Sequence, residues 1–426
     1  MRVLVVGSGG REHALCWKIA RSSLVGEVFC APGNGGIAND AVCIDIGADD
    51  ITGLLRFVRD NAFDLTVVGP EAPLTMGIVD AFRAEGLAVF GPDKAAAALE
   101  GSKAFAKDVM KGCGIPTAQY GVFTEAASAG AFIEDAGFNV VVKADGLAAG
   151  KGVLVTTSKE EALAAIDEVM VKRSFGDAGN KAVVEELLAG EEASFIAVCD
   201  GENVLPLASS QDHKRVFDND EGPNTGGMGA YSPASVVDDA MTGLVMDRIM
   251  IPLVAGLKKQ GITYKGVIYA GLMITPEHNP SVLEFNVRMG DPETQPLLMR
   301  CRSDIVPMML EVAKGGSIKN YRLEWEEGPS VCVVLASGGY PGSIEKGKVI
   351  SGIDQADRIA GVKVFHAGTR LKGSDFLTSG GRVLGVTALG NDLKDAITRA
   401  YQGASLITFE GMHHRKDIGH RALARL

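Results

Sequence analysis

The most restrictive feature of this chain is the rhythm of residues 1–101. Short apolar runs at 3–6, 27–30, 42–44, 65–68 and 88–90 each read as a buried strand, and each ends in a loop carrying Gly or Pro. A helical pattern over 13–22 separates the first two. Strands alternating with helices imply a parallel sheet whose ligands sit at the carboxyl ends of the strands. The first such loop is Gly7-Ser8-Gly9-Gly10-Arg11-Glu12-His13. A dinucleotide fingerprint needs a third Gly where Glu12 stands, because helix and strand pack closely there. Its failure argues against a nicotinamide-dependent oxidoreductase. Two readings stay open: a tight strand-to-helix turn, or a phosphate or sugar site at a helix N-terminus with Arg11 nearby. Pro32-Gly33-Asn34 and Gly69-Pro70-Glu71 follow other strands and are placed to line the same crevice.

Gly101-Ser102-Lys103 opens a second body, with Ser102 predicted to cap a helix over 103–111. A smaller unit at about 120–190 follows, with strands at 139–143, 153–156 and 182–186 and a helix over 159–170. The first two of these strands, joined by a glycine-rich loop, predict an antiparallel hairpin. Strands at 331–336, 362–366 and 382–389 and a helix at 392–402 make a small α+β module at the end of the chain. The expected division is 1–101, 102–326 and 327–426, with a lid at about 120–190.

A net charge of -11 argues against nucleic acid, which rewards a basic surface. The seven Cys are scattered and form no CxxC, which points to reduced thiols rather than a disulfide framework or zinc site. No run approaches the ~18 apolar residues that span a bilayer. The N-terminal apolar run is too short for a signal peptide. The expectation is a cytoplasmic protein.

The strongest cluster is Glu284-Phe285-Asn286-Val287-Arg288-Met289-Gly290-Asp291-Pro292-Glu293-Thr294-Gln295. Residues 284, 286 and 288 share one face of a strand. Glu284 and Asn286 supply hard oxygen ligands suited to magnesium. Arg288 on the same face is suited to charge on a transferring phosphoryl group. Asp212-His213-Lys214-Arg215 pairs with Gly222-Pro223-Asn224-Thr225-Gly226-Gly227-Met228-Gly229. These glycines permit close backbone approach and Asp212 suits a substrate ammonium, while His213 alone reads more readily as structural. The loop Gly146-Leu147-Ala148-Ala149-Gly150-Lys151-Gly152 is not a Walker A motif, since Asp145 and Gly152 stand where Gly and Ser or Thr are needed. It reads as a flap over nucleotide phosphates, with Lys143 and Lys151 as point cations, or as a surface hairpin. Glu185-Glu186-Leu187-Leu188 ends a strand before Gly190-Glu191-Glu192. It is either a site for adenine and ribose or an acidic turn. Arg415-Lys416-Asp417-Ile418-Gly419 is either a solvated charge run or a contact to an anion.

In this order the motifs resemble the ATP-grasp superfamily, and within it the phosphoribosylamine–glycine ligase (glycinamide ribonucleotide synthetase) family. The resemblance runs over essentially the whole chain. It is carried by Gly7–His13 as quoted, Gly69-Pro70-Glu71-Ala72-Pro73-Leu74, and the two segments from Asp212 and from Gly222, but most of all by Arg288-Met289-Gly290-Asp291-Pro292-Glu293-Thr294-Gln295. It implies an α/β and α+β multidomain fold: a Rossmann-like (pre-ATP-grasp) parallel sheet, an ATP-grasp body with a mobile lid, and a small C-terminal α+β domain. It implies ligation of glycine to 5-phosphoribosylamine through glycyl phosphate in purine biosynthesis, giving glycinamide ribonucleotide, ADP and phosphate. The implied cofactors are ATP and Mg2+ or Mn2+. No nucleic-acid or membrane partner is implied, and a monomer is expected. By the same resemblance Arg288, Asp212 and Lys143 are catalytic. Lys103, Lys143, Gly150, Lys151, Glu185, Glu186, Leu188 and Glu192 bind ATP. Gly9, Gly10, Arg11, Asn34, Glu71, Asp212, His213, Gly226, Gly227 and Arg288 hold the other substrates, and Glu284 and Asn286 hold metal. One departure stands out. Many ATP-grasp enzymes carry a further acidic ligand about a dozen residues earlier, where this chain has Ala270-Gly271-Leu272-Met273. Glu284 is then left to bridge two ions.

Overall fold

The computed structural model describes residues 1–148 and 152–425. Arg2–Gly7 lies at the centre of a five-stranded sheet, with Glu27–Pro32 and Val42–Cys43 on one side and Leu65–Val68 and Val89–Phe90 on the other. All four pairings are parallel. Val3, Leu4, Val5 and Val6 are wholly buried, as a run that is apolar on both faces must be when helices cover both sides of the sheet. The strand order reverses between Arg2–Gly7 and Leu65–Val68, so the crevice expected from the sequence opens at their carboxyl ends.

Ser102 caps the helix Lys103–Cys113, its Oγ accepting from Phe105 N at 3.1 Å. The lid is an antiparallel sheet of Tyr120–Phe123, Ala182–Glu186, Val140–Ala144 and Val153–Val155. It carries two helices, Ala126–Asp135, which the sequence reading missed, and Lys159–Ile166, continued by a π-helical turn at Asp167–Val171. A second antiparallel sheet runs Val204–Pro206, Glu191–Asp200, Lys265–Ile274 and Pro280–Asn286, and forms the wall beneath the lid. The continuous helix Asp239–Lys259 is long and apolar enough to cross a membrane by length and composition, although Asp247 and Arg248 interrupt its apolar run. Its apolarity has another cause. Met241, Val245, Ile249, Leu253 and Leu257 recur at helical spacing and are buried in one core with Val282 and Phe285.

The C-terminal sheet is not built from C-terminal residues alone. Its order is Gln211–Asp212, Gly229–Ser232, Ser330–Ala336, Arg382–Leu389, Val362–His366. Two strands of the middle body therefore extend it, which the sequence reading of a separate module missed. The same region grips the first helix, Gly10–Ile19, of the N-terminal part. His366 N donates to His13 Nδ1 at 2.7 Å, so the His13 proton sits on Nε2, facing Asp40 Oδ2 at 3.0 Å.

Burial holds three histidines neutral. It lowers His13 and brings His213 and His366 down to about 3. Their unfolded value is about 6.5, so below that pH the unfolded chain takes up protons that the folded chain refuses. Stability should therefore fall as pH drops from about 6.5 towards 3, by up to about 1.4 kcal/mol per unit and per histidine. Urea midpoints at about pH 7.5 and about pH 5 test this, and equal midpoints would contradict it.

Candidate active site

The strand Pro280–Asn286 carries the polar stripe, and a bulge decides where it points. Gly271 pairs with Glu284 but Leu272 pairs with Val282, so Leu283 is the additional residue on its strand. Its carbonyl accepts from Lys143 Nζ at 3.0 Å. Beyond the bulge Glu284, Asn286 and Arg288 all line one cleft of about 540 Å³ between the two sheets, the lid and the C-terminal sheet. Arg288 is fixed from two sides: Nε to Glu71 Oε2 at 3.1 Å and Nη2 to Glu100 Oε1 at 2.9 Å. Its Nη2 also donates to Asn286 Oδ1 at 3.2 Å.

The electrostatics follow from these neighbours. Burial alone would raise the Glu284 carboxyl, but Lys214, Lys143, Lys103 and Arg288 bring it down to about 2. Burial pushes Asp212 the other way, up to about 8, reinforced by Glu293, Glu192 and Glu284 and opposed by Lys214. Lys214 lies 3.2 Å from Glu192 and 3.7 Å from Glu284, and despite its burial these acids hold it well above the usual lysine range. An ionised Glu284 two residues from an amide oxygen suits a hard divalent ion, which usually takes one or two protein oxygens and leaves the rest to phosphates and water. Among the described residues no group of three His, Cys, Asp or Glu could hold a metal alone. The donor set fits a metal that arrives with nucleotide.

The residues expected to bind nucleotide converge on this cleft from the lid and from the elements beside it. Lys103, Lys143, Glu185, Glu186, Leu188 and Glu192 all line the cleft, and Lys103 Nζ donates to Gly146 O at 3.0 Å. Glu185 is buried between Lys143 and Lys107 and ion-paired with both. Gly150 and Lys151 lie outside the described residues.

The residues expected to bind the other substrates divide. Arg11, Glu71, Asp212, Gly226 and Arg288 line the cleft. Gly227 sits just behind it with φ +111°, its Cα packed so close to Pro292 that only Gly fits. Gly9, Gly10 and Asn34 do not line it. The Gly9 amide donates to Glu12 Oε2 at 2.6 Å. Asn34 gives both amide hydrogens to Ser8 O and His366 O and takes the Gly36 and Ile37 amides on its oxygen, so it ties the chain to itself. His213 follows Asp212 in the chain and therefore points the opposite way. It is buried under the C-terminal segment, where Nε2 accepts from Gly419 N at 3.2 Å. Arg415 and Asp417 are neither solvated nor free for an anion. Arg415 is fully buried and paired with Asp417 and Asp220.

Sequence reasoning missed Glu100, Lys107 and Arg382. Lys107 had a legible signal, since it follows Lys103 by four residues and so shares its helix face. Arg382 had none. It enters from the strand Arg382–Leu389 and donates to Gly226 O at 2.6 Å and to Asp291 Oδ2 at 2.9 Å.

A parallel-sheet domain, a two-sheet body with a lid, and lysines and an acid–amide pair converging between them define an ATP-grasp ligase. Models of the phosphoribosylglycinamide synthetase N domain, ATP-grasp (A) domain and C domain match residues 1–100, 101–294 and 330–421. The chain belongs to the phosphoribosylglycinamide synthetase family. It is 54% identical to a phosphoribosylamine–glycine ligase of Yersinia pestis over 428 residues, covering 100% of both chains. It is also 54% identical to one of Allochromatium vinosum, covering 100% of this chain and 99% of that one. The solved phosphoribosylamine–glycine ligase of Thermotoga maritima is 35% identical, with a TM-score of 0.85 over 98% of this chain and 100% of that one. The biotin carboxylase domain of Hydrogenobacter thermophilus 2-oxoglutarate carboxylase, at 17% identity and a TM-score of 0.73 over 97% and 91% of the two chains, shares the fold.

Lys107 Nζ also donates to Thr117 Oγ1 at 2.7 Å. Lys107→Met should leave that hydroxyl and one Glu185 oxygen short of a donor and cost about 1–3 kcal/mol. Adding Glu185→Gln should return part of the loss in a double-mutant cycle read by urea denaturation. Strict additivity would show that the two groups are not coupled.

Proposed function

We propose that this cleft activates glycine with ATP and passes the glycyl group to 5-phosphoribosylamine. The observation that carries the reading is the convergence of Glu284, Asn286, Arg288, Lys103, Lys143 and Asp212 on one space. The ligase activity is that of the family, and ATP with Mg2+ or Mn2+ serves it. The residue roles below are our assignment.

An amine does not displace an oxygen from a carboxylate. In the first step a glycine carboxylate oxygen attacks the γ-phosphorus of ATP, the bond to the bridging oxygen breaks, and ADP leaves. The protein contributes position and charge rather than covalent chemistry. Lys103 and Lys143 lie against the phosphates, Arg288 against the transferring group, and Asp212 against the glycine ammonium. Adenosine lies against Glu185, Glu186, Leu188 and Glu192. Metal bound by Glu284 and Asn286 neutralises phosphate charge when present. In the second step the amine attacks the glycyl carbonyl carbon, a C–N bond forms, the C–O bond to phosphate breaks, and the amine sheds a proton. Acyl phosphate is lost to water unless water is kept out, which gives the lid its purpose. Gly150 and Lys151 belong to the same assignment.

The division at 101/102 and 326/327 is part of this proposal, supported by the change of sheet at the first point. A monomer in the cytoplasm is our reading too, supported by seven free cysteines among the described residues and by the purine-biosynthetic family.

ADP release measured with ATP, magnesium, glycine and freshly made phosphoribosylamine, each omitted in turn, tests the reaction. Release should require all four. Glu284→Ala should lower kcat by about 100-fold or more with an unchanged circular dichroism spectrum. Near-normal turnover in that variant, at any magnesium level, would refute the metal assignment.

A further inference from the structure

The N-terminal loops leave the sugar phosphate without a home. A dianion beside Gly9 would meet the Glu12 carboxylate, and a Cβ there would lie 3.4 Å from Asp291 Oδ2. Elsewhere a second cavity of about 870 Å³ adjoins the first. The two share Val153, Val155, Asn224, Tyr340 and Pro341. The second is bordered by the lid strand Val153–Val155, the hairpin of Arg215–Phe217 and Glu221–Asn224, and the glycine-rich loop 337–342.

Of the lysines and arginines lining the two cavities, most are already neutralised. Arg11, Lys107, Lys143, Lys214, Arg288 and Arg382 each have a carboxylate within 4.0 Å. Among the described residues Lys103 and Arg215 have none. The reaction brings two phosphate-bearing substrates, and these two cations line different cavities of the joined space. Lys103 faces the nucleotide end. Arg215 lines only the second cavity.

Arg215 is also held ready. Its Nη1 donates to Gly222 O at 2.6 Å, the single hydrogen bond its side chain makes among the described residues. Its own carbonyl accepts from Arg415 Nη1 at 3.1 Å, and Arg415 is locked by Asp220 at 2.8 Å and Asp417 at 2.7 Å. The guanidinium therefore sits on a fixed backbone with donors to spare, a fork suited to phosphate.

We propose that Arg215 binds the phosphate of phosphoribosylamine in the second cavity, from which the amine reaches the glycyl group through the opening at Asn224 and Tyr340. The proposal rests on the ligase reading above. It removes the sugar phosphate from Gly9, Gly10 and Asn34.

Steady-state kinetics of the full-length enzyme test it. Arg215→Gln should raise KM for phosphoribosylamine by about 10- to 100-fold, while KM for ATP and for glycine stay within about twofold. Arg215→Lys should fall between, because it keeps the charge and loses the fork. With ribosylamine, which lacks the phosphate, wild type and Arg215→Gln should perform alike, so the preference for the phosphorylated amine collapses by the same factor. An unchanged KM for phosphoribosylamine in either variant overturns the assignment. So does a parallel rise in all three Michaelis constants, which marks a structural role. Wild-type enzyme that releases no ADP with the amine would instead overturn the ligase reading itself.

Discussion

Charge held in a poorly hydrated cleft has to be balanced at short range, and the structure balances it with residues far apart in the chain. Arg288 follows the strand Pro280–Asn286, Glu71 follows a strand of the parallel sheet, and Glu100 lies in the last turn of the helix Lys94–Gly101. Burial would raise both acids. Arg288 holds Glu71 below its usual value, whereas Glu100 stays raised because Glu71 adds to its burial. Breaking a buried pair costs about 3–5 kcal/mol, while forming one adds little net stability. The network therefore acts less as glue than as a condition: Arg288 reaches its place only when sheet, helix and strand are all docked.

The same logic explains why the C-terminal region does not stand apart. Its sheet takes in Gln211–Asp212 and Gly229–Ser232, so Asp212 is presented by an edge strand whose one partner there, Gly229–Ser232, is itself paired to Ser330–Ala336 from the C-terminal region. Arg382 binds the carbonyl of Gly226 and the carboxylate of Asp291, joining the two motif loops. Arg415 closes the far end of the hairpin, where Asn219 and Asp220 adopt positive φ of 59° and 56° that non-glycine residues rarely keep without support. A C-terminal module became a wall of the active site through backbone pairing and two arginines, Arg382 and Arg415.

This also marks the border of what the sequence discloses. Periodicity is local, so the strands at 65–68, 182–186, 362–366 and 382–389 were readable to the residue or nearly so. The stripe Glu284, Asn286 and Arg288 was readable because polar residues at alternate positions beside apolar ones need a reason. The Leu283 bulge was not, since a one-residue slip depends on the partner strand. Pairings such as Arg288 with Glu100, or Arg382 with Asp291, depend on the closed fold and leave no trace in spacing. Asp212 and His213 show the boundary within one dipeptide. Alternation predicts that they face opposite ways, but only the sheet decides which one meets the cleft.

Glu12 shows how a familiar turn is put to another use. Gly7 has φ +128°, and a Cβ there or at Gly69 would collide with the Glu12 side chain. Two glycines thus make room for a carboxylate where a dinucleotide-binding turn makes room for pyrophosphate. That carboxylate accepts from the Gly9 amide and from Arg11 Nε at 2.5 Å, and Arg11 Nη1 reaches across to Met289 O at 3.1 Å. The positive end of the helix Gly10–Ile19 is satisfied from within the chain. A site already holding its own anion has little to offer a second one. What it gives the cleft instead is a rigid seam against the residue after Arg288, so the parallel sheet serves the chemistry by fixing that arginine's surroundings.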